Sequence, residues 1–245
     1  MARKKYVFEN LGFEVTRRCN LSCDHCLRGC AEDIDIQKGV IDTVLDSVAK
    51  IEYLVFTGGE PALNVPMIQY ILEQMKARDI PLGMFFIATN GIPNQMELAR
   101  VCLDLMQYAE EPFESSIAIS RDIFHDNVDE IDKSPLNFLA IRSDCKDAGD
   151  FSQRPLGARG RAAVEGFSEK YNVEVREQDV KTEFENIWFF NHMPIIGDIV
   201  YISARGQVCL DCDLSYDMMD AYKVCDVQNF DEVIEKAVAN CKTDE

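Results

Sequence analysis

The sequence predicts an α/β protein, a parallel sheet covered by helices, closed by a small cysteine-bearing hairpin and helix. Three observations carry this. Apolar, β-rich runs alternate with stretches of helical periodicity through the first two thirds of the chain. The polar and glycine-rich signals fall where the strands should end, the position at which such sheets gather function. The rhythm then breaks near Ile195, and beyond it three cysteines cluster around a glycine turn.

Phe13 to Thr16 is a short strand candidate leading straight into a cysteine loop. Val40, Ile41, Val44, Leu45 and Val48 recur at helical spacing and mark an amphipathic helix. Tyr53 to Thr57 is a second strand, stopped by Gly58-Gly59. Met67, Ile68, Ile71, Leu72 and Met75 again share a helical face. Leu82 to Thr89 reads as a buried strand ended by Asn90-Gly91, with a helix over 95–108 after it. Ser115 to Ser120 and Leu136 to Arg142 make two further strands. Ile199 to Ser203 and Gln207 to Leu210, joined by Ala204-Arg205-Gly206, form a hairpin, and a short helix near Asp231 to Ala239 closes the chain.

Hydrophobic residues make up 47% of the 245, enough for a sizeable core, which excludes a disordered tail. Lys and Arg number 25 against 43 Asp and Glu, a net charge of −18. A field of that sign repels phosphate backbones and anionic lipid, arguing against nucleic-acid and membrane partners. The longest apolar runs fall far below the roughly 20 residues of a membrane span, and Met1 to Tyr6 lacks the apolar core of a secretory signal. The expectation is a cytoplasmic protein.

In that compartment thiols stay reduced, so clustered cysteines point to metal or redox chemistry. The ten fall unevenly. Cys102, Cys145 and Cys241 stand alone and read as inert, since free cysteine buries like a small hydrophobe. Cys19-Asn20-Leu21-Ser22-Cys23-Asp24-His25-Cys26 has the spacing C-x3-C-x2-C. Three thiolates on one loop can wrap an iron–sulfur cluster and leave its fourth iron open to a small molecule, whereas a sealed electron carrier uses four. A structural zinc loop is the bland alternative, though it usually wants paired C-x2-C units.

This loop resembles the signature of the radical S-adenosylmethionine (radical SAM) superfamily, and later motifs recur in the family's order. The resemblance implies an incomplete (β/α)6 TIM-like barrel over residues 10–190, with a cysteine-bearing extension over residues 195–245. It implies a [4Fe–4S] cluster held by Cys19, Cys23 and Cys26, whose open iron chelates SAM. Cleavage of SAM by one electron would then give a 5'-deoxyadenosyl radical that takes a hydrogen atom from the substrate. His25 stands where the family usually has an aromatic residue beside the adenine. Cys30 follows Cys26 by four and reads as a peripheral thiol, because a fourth ligand would block SAM.

Gly58-Gly59-Glu60-Pro61 follows the cysteine loop by about thirty residues. Glycine lets backbone approach a ligand closely, and the family's GGE segment implies contact with the amino group of SAM by Gly58, Gly59 and Glu60. By the same resemblance Asn90 lines the SAM pocket, and Ser120, with Asp122 as second choice, meets the ribose hydroxyls. Arg154, Arg159 and Arg161 gather in an acidic chain, as a solvated loop or an anion clamp. Their Gly-Arg-Ala segment resembles radical SAM enzymes with extra C-terminal clusters, implying that Arg159 or Arg161 meets the carboxylate of SAM or of an acidic substrate.

Cys209 and Cys212, with Cys225 thirteen residues later, look like a shortened SPASM module, the twitch domain. That likeness implies a second, auxiliary iron–sulfur cluster, open on three cysteines or fully ligated with Cys241 as a remote fourth; a zinc site and no metal also remain open. Such modules accompany enzymes that modify peptides, so the expected substrate is a peptide or protein side chain. The expected electron donor is a flavodoxin or ferredoxin. A small-molecule radical SAM enzyme, a glycyl-radical activating enzyme and a non-catalytic electron-transfer protein remain as alternatives.

Overall fold

The computed structural model describes residues 5–120, 124, 134–136, 138, 156–177 and 179–241. Four strands, β1 (Tyr6–Thr16), β2 (Val48–Gly58), β3 (Leu82–Thr89) and β4 (Ser116–Ile119), lie side by side in chain order and all parallel. Helices α1 (Lys38–Leu45), α2 (Val65–Ala77) and α3 (Gln95–Tyr108) supply the crossovers. Each helix buries one stripe: Ile41, Val44 and Leu45 on α1; Ile68, Ile71, Leu72 and Met75 on α2; Leu98, Val101, Cys102 and Leu105 on α3. Burial of each such aliphatic side chain contributes about 2 kcal/mol. Pro66 in the first turn of α2 lies where a helix needs no backbone donor.

The strand ends differ from the sequence reading. β1 begins at Tyr6, seven residues before Phe13, because Glu9, Asn10 and Gly12 interrupt the apolar pattern without interrupting the ladder. β1 is also not an edge. The long strand β8 (Met193–Ile202) pairs with it in parallel, Val7 opposite Ile195 and Phe13 opposite Ile202. β8 therefore belongs to the central sheet, and its Ile196, Val200 and Ile202 lie in the same core as β1 and β2. On its far side β8 pairs antiparallel with β7 (Ile187–Phe190) and then with β9 (Gln207–Cys209), which pairs with β10 (Cys225–Asp226).

β5 (Leu156–Gly157) and β6 (Val175–Arg176) form a small parallel pair apart from the main sheet, with α4 (Phe167–Tyr171) between them. The strand predicted over Leu136 to Arg142 begins in a 3-10 turn at Ser134–Leu136 and, Phe138 aside, lies outside the described residues. Helix α5 (Tyr216–Tyr222) follows β9, and α6 (Phe230–Cys241) packs back on β1, the Phe230 ring stacked on Phe8 at 5.9 Å. No helix among the described residues is long and apolar enough to cross a membrane.

Candidate active site

Successive strand residues point to opposite faces of a sheet. On β2 and β3 this turns Leu54, Phe56, Phe85 and Ile87 toward the helices and leaves Val55, Thr57, Phe86 and Ala88 on the other face. Those four floor a cavity of about 300 Å³. Its rim comes from the loops at the strand ends: Cys19, Cys23 and Cys26 after β1, Gly58 to Glu60 after β2, Thr89 and Asn90 after β3, and Ser120 after β4.

Two contacts set the cysteine loop against the β2 end. Gly59 N–H donates to Thr16 O at 2.9 Å and Glu60 N–H to Arg18 O at 2.8 Å. A Cβ at Gly59 would lie 2.4 Å from Arg18 O, and one at Gly58 would lie 2.2 Å from Thr16 O. Only glycine lets the two backbones approach this closely.

Glu60 is buried, and its carboxylate spans two strand ends. Oε1 accepts from Ala62 N–H at 2.9 Å and Thr89 Oγ1–H at 2.6 Å, while Oε2 accepts from Asn90 N–H at 2.7 Å. Asn90 in turn donates through Nδ2 to Asn20 Oδ1 at 2.9 Å, tying β3 to the cysteine loop. Asn20 carries no sequence signal of its own, being one polar loop residue among several. Ser120 lines the cavity, its N–H donating to Thr89 O at 2.9 Å. Asp122 lies outside the described residues, as do His125, Cys145 and Arg154. The His25 ring lines the cavity and stacks on Phe124 at 4.3 Å, and Phe124 stacks on Phe167. His25 thus belongs to a run of stacked rings, a flat wall suited to a planar ligand.

The donor chemistry fits an iron–sulfur cluster. Three thiols four and three residues apart share one cavity, each partly exposed to it. Burial pushes the Cys19 thiol up, partly opposed by the Leu21 N–H that donates to its Sγ at 3.4 Å. Such a thiol gives up its proton when metal binds. Cys30 is exposed and does not line the cavity, leaving three protein ligands for the loop to offer.

The two arginines of the Gly-Arg-Ala segment part company. Arg159 is buried and pairs with Asp211 at 2.8 Å. Arg161 reaches the cysteine loop, donating to Ser22 Oγ at 2.7 Å and Cys23 O at 3.3 Å, with its own N–H on Cys26 O at 2.9 Å. Gly160, at φ 53, brings this segment against the loop; a Cβ there would lie 2.3 Å from Leu27 O.

The C-terminal cysteines are not gathered at one point. Cys209 is buried among Tyr201, Leu214, Tyr216 and Met219, with Cys212 packed against that group. Cys225 pairs with Val208, which points the other way, and both pack against the main core on the opposite face of the hairpin. Cys212, by contrast, lines the cavity beside Asp213.

Two buried arginines without a motif of their own hold this region. Arg17 donates to Glu14 and Glu32, each at 2.9 Å, and lies over the Tyr216 ring at 4.3 Å. Arg28 donates to Cys212 O at 2.6 Å, Leu214 O at 2.5 Å and Tyr201 Oη at 3.0 Å. Tyr201 Oη also shares a 2.6 Å hydrogen bond with Thr57, which lines the cavity.

A sheet that presents an open three-thiol loop at its parallel strand ends has the donor set of an iron–sulfur enzyme. The sequence profile of the radical SAM superfamily matches residues 13–138, just over half of the chain, and the chain belongs to that superfamily. It is accordingly an enzyme, with a [4Fe–4S] cluster and SAM as its cofactors.

Among curated relatives, it is 31% identical over 115 residues to the tungsten-containing aldehyde ferredoxin oxidoreductase cofactor-modifying protein of Pyrococcus furiosus, covering 43% of this chain and 30% of that protein. It is 38% identical over 71 residues to an uncharacterized protein of Methanocaldococcus jannaschii, covering 26% of this chain and 24% of that protein. The chain thus spans less than a third of the length of either of these curated relatives. Among solved structures, native anSMEcpe with bound AdoMet and Cp18Cys peptide aligns at a TM-score of 0.48 and 11% identity, over 91% of this chain and 78% of that one. Streptococcus suis SuiB bound to precursor peptide SuiA aligns at 0.37 and 12%, over 83% and 59%.

Proposed function

We propose that Cys19, Cys23 and Cys26 hold the cluster, that SAM occupies the adjoining cavity, and that the enzyme acts on a side chain of a peptide or protein. The convergence of the three thiols with Glu60 and Asn90 on one cavity carries this reading. When bound, the cluster and SAM supply one-electron cleavage to methionine and a 5'-deoxyadenosyl radical able to take a hydrogen atom. The chain's own residues position and exclude. Gly58 and Gly59 let the cysteine loop close on the β2 end at the cavity rim, and the His25 face accepts a planar base. Glu60 holds the ends of β2 and β3 at a set distance. The apolar floor of Val55, Phe86 and Ala88 keeps water from the reacting atoms.

The substrate class rests on the likeness of the Cys209–Cys212 tail and of the Gly-Arg-Ala segment to those of radical SAM enzymes that modify peptides.

The experiment is 5'-deoxyadenosine release by the anaerobically reconstituted, dithionite-reduced protein with SAM, against Cys26→Ala. Release by wild type and none by the variant is expected; equal release by both would overturn the ligand assignment. Size-fractionated cell extract then tests the substrate. A rise in release with the peptide and protein fraction supports the peptide reading, and a rise only with the small-molecule filtrate overturns it.

A further inference from the structure

We propose that Cys212 is a catalytic residue of this pocket, a thiol that gives a hydrogen atom to a carbon-centred radical formed on the substrate. The inference rests on the radical reading above and adds a residue and a step to it. Cys212 lies in the wall of the cavity that holds Cys19, Cys23, Cys26, Glu60 and Asn90, whereas Cys209 is sealed in an apolar cluster and Cys225 faces away.

The turn that carries it is held from both ends. Arg28, itself buried, donates to the carbonyl oxygens of Cys212 and Leu214. Arg159, also buried, pairs with Asp211, whose Oδ1 accepts from Asp213 N–H at 2.7 Å. The two buried guanidinium groups hold this four-residue turn through directional, charge-assisted hydrogen bonds.

The surroundings favour the thiol over the thiolate. Cys212 Sγ lies 3.7 Å from Asp213 Oδ1, which can accept its proton in a hydrogen bond, and the ligand atoms of Asp211, Cys212 and Asp213 fall within 4.8 Å of one another. A hydrogen-bonded S–H is the form a hydrogen-atom donor needs.

The step balances as follows. The S–H bond of Cys212 breaks and a C–H bond forms on the substrate, leaving a sulfur-centred radical. One electron from a low-potential one-electron donor, the class that reduces the cluster, and one proton from water restore the thiol. An S–H bond is weaker than an aliphatic C–H bond, so the transfer runs downhill toward carbon.

The test uses reconstituted, dithionite-reduced protein with SAM in D2O and no added substrate. The thiol exchanges to S–D, and the 5'-deoxyadenosine released is weighed by mass spectrometry. Wild type should return a deuterated fraction, and Cys212→Ser and Cys212→Ala should each lower it several-fold. Iron content and the EPR spectrum of the reduced cluster should match wild type in both variants. Loss of iron would make Cys212 a ligand and overturn the proposal, as would unchanged labelling in both variants. Wild-type protein that releases no 5'-deoxyadenosine removes the radical reading itself, a different result from release with unaltered labelling.

Discussion

The side-chain amide of Asn90, at the end of β3, donates to the side-chain oxygen of Asn20, inside the cysteine loop, at 2.9 Å across 70 positions of sequence. This bond fastens the loop offering the thiols to the strand end that walls the cavity. Asn90 Oδ1 meanwhile accepts from Ile92 N–H at 3.0 Å, so the amide is held on both sides.

Asn20→Ala should loosen the loop without unfolding the protein. Loss of one such hydrogen bond costs about 1 kcal/mol, roughly a fivefold change in an equilibrium. SAM affinity, measured by isothermal titration on the reconstituted protein, should weaken by roughly that factor. Unchanged affinity would mean that the cysteine loop holds its shape without β3.

Glu60→Gln tests the strut between β2 and β3. The carboxylate accepts three donors on two oxygens. Glutamine offers one acceptor oxygen and turns an amide N–H toward a donor that has lost its partner. A buried donor left unsatisfied costs about 1–3 kcal/mol. The expected outcome is a fall in thermal midpoint together with loss of SAM binding, read by calorimetry and by titration.

Asp198 contributes to the acid limb of stability. It is buried and accepts from Lys181 Nζ at 2.6 Å, the N–H groups of Glu185 and Asn186 at 2.9 and 3.0 Å, and Asn186 Nδ2 at 3.1 Å. Burial acts to raise its pKa, but the donors outweigh that and hold the carboxyl below its usual value. The stabilisation is therefore present above the unfolded pKa of about 4 and lost as pH falls through the lower folded value. Asp198→Asn should destabilise the protein near neutrality by about 1–3 kcal/mol. The gap from wild type in urea midpoints should narrow below about pH 4.

The α/β class was legible because its signal is local. The helical stripes of α1, α2 and α3 and the apolar runs of β2 and β3 appear within a single window of sequence. The cysteine loop was legible for the same reason, its ligand spacing being short-range. β1 read as four residues rather than eleven, since Glu9, Asn10 and Gly12 broke the apolar pattern while the β2 ladder ran on through them. The arginine at the cysteine loop is Arg161 and not Arg159, a difference no composition or spacing could express, because it depends on which side chain Asp211 captures.

By itself, the sequence determined the order of strands and helices, the three-thiol loop and the polar residues at each strand end. These follow from periodicity, from glycine's freedom and from the coordination chemistry of adjacent thiols. Only the tertiary structure decided that β8 lies beside β1, that Arg28 grips the turn after β9, and that Cys212 enters the pocket while Cys209 and Cys225 fall on opposite faces of a hairpin. Those outcomes turn on pairings between segments nearly two hundred residues apart, whose register sends each side chain to one face or the other.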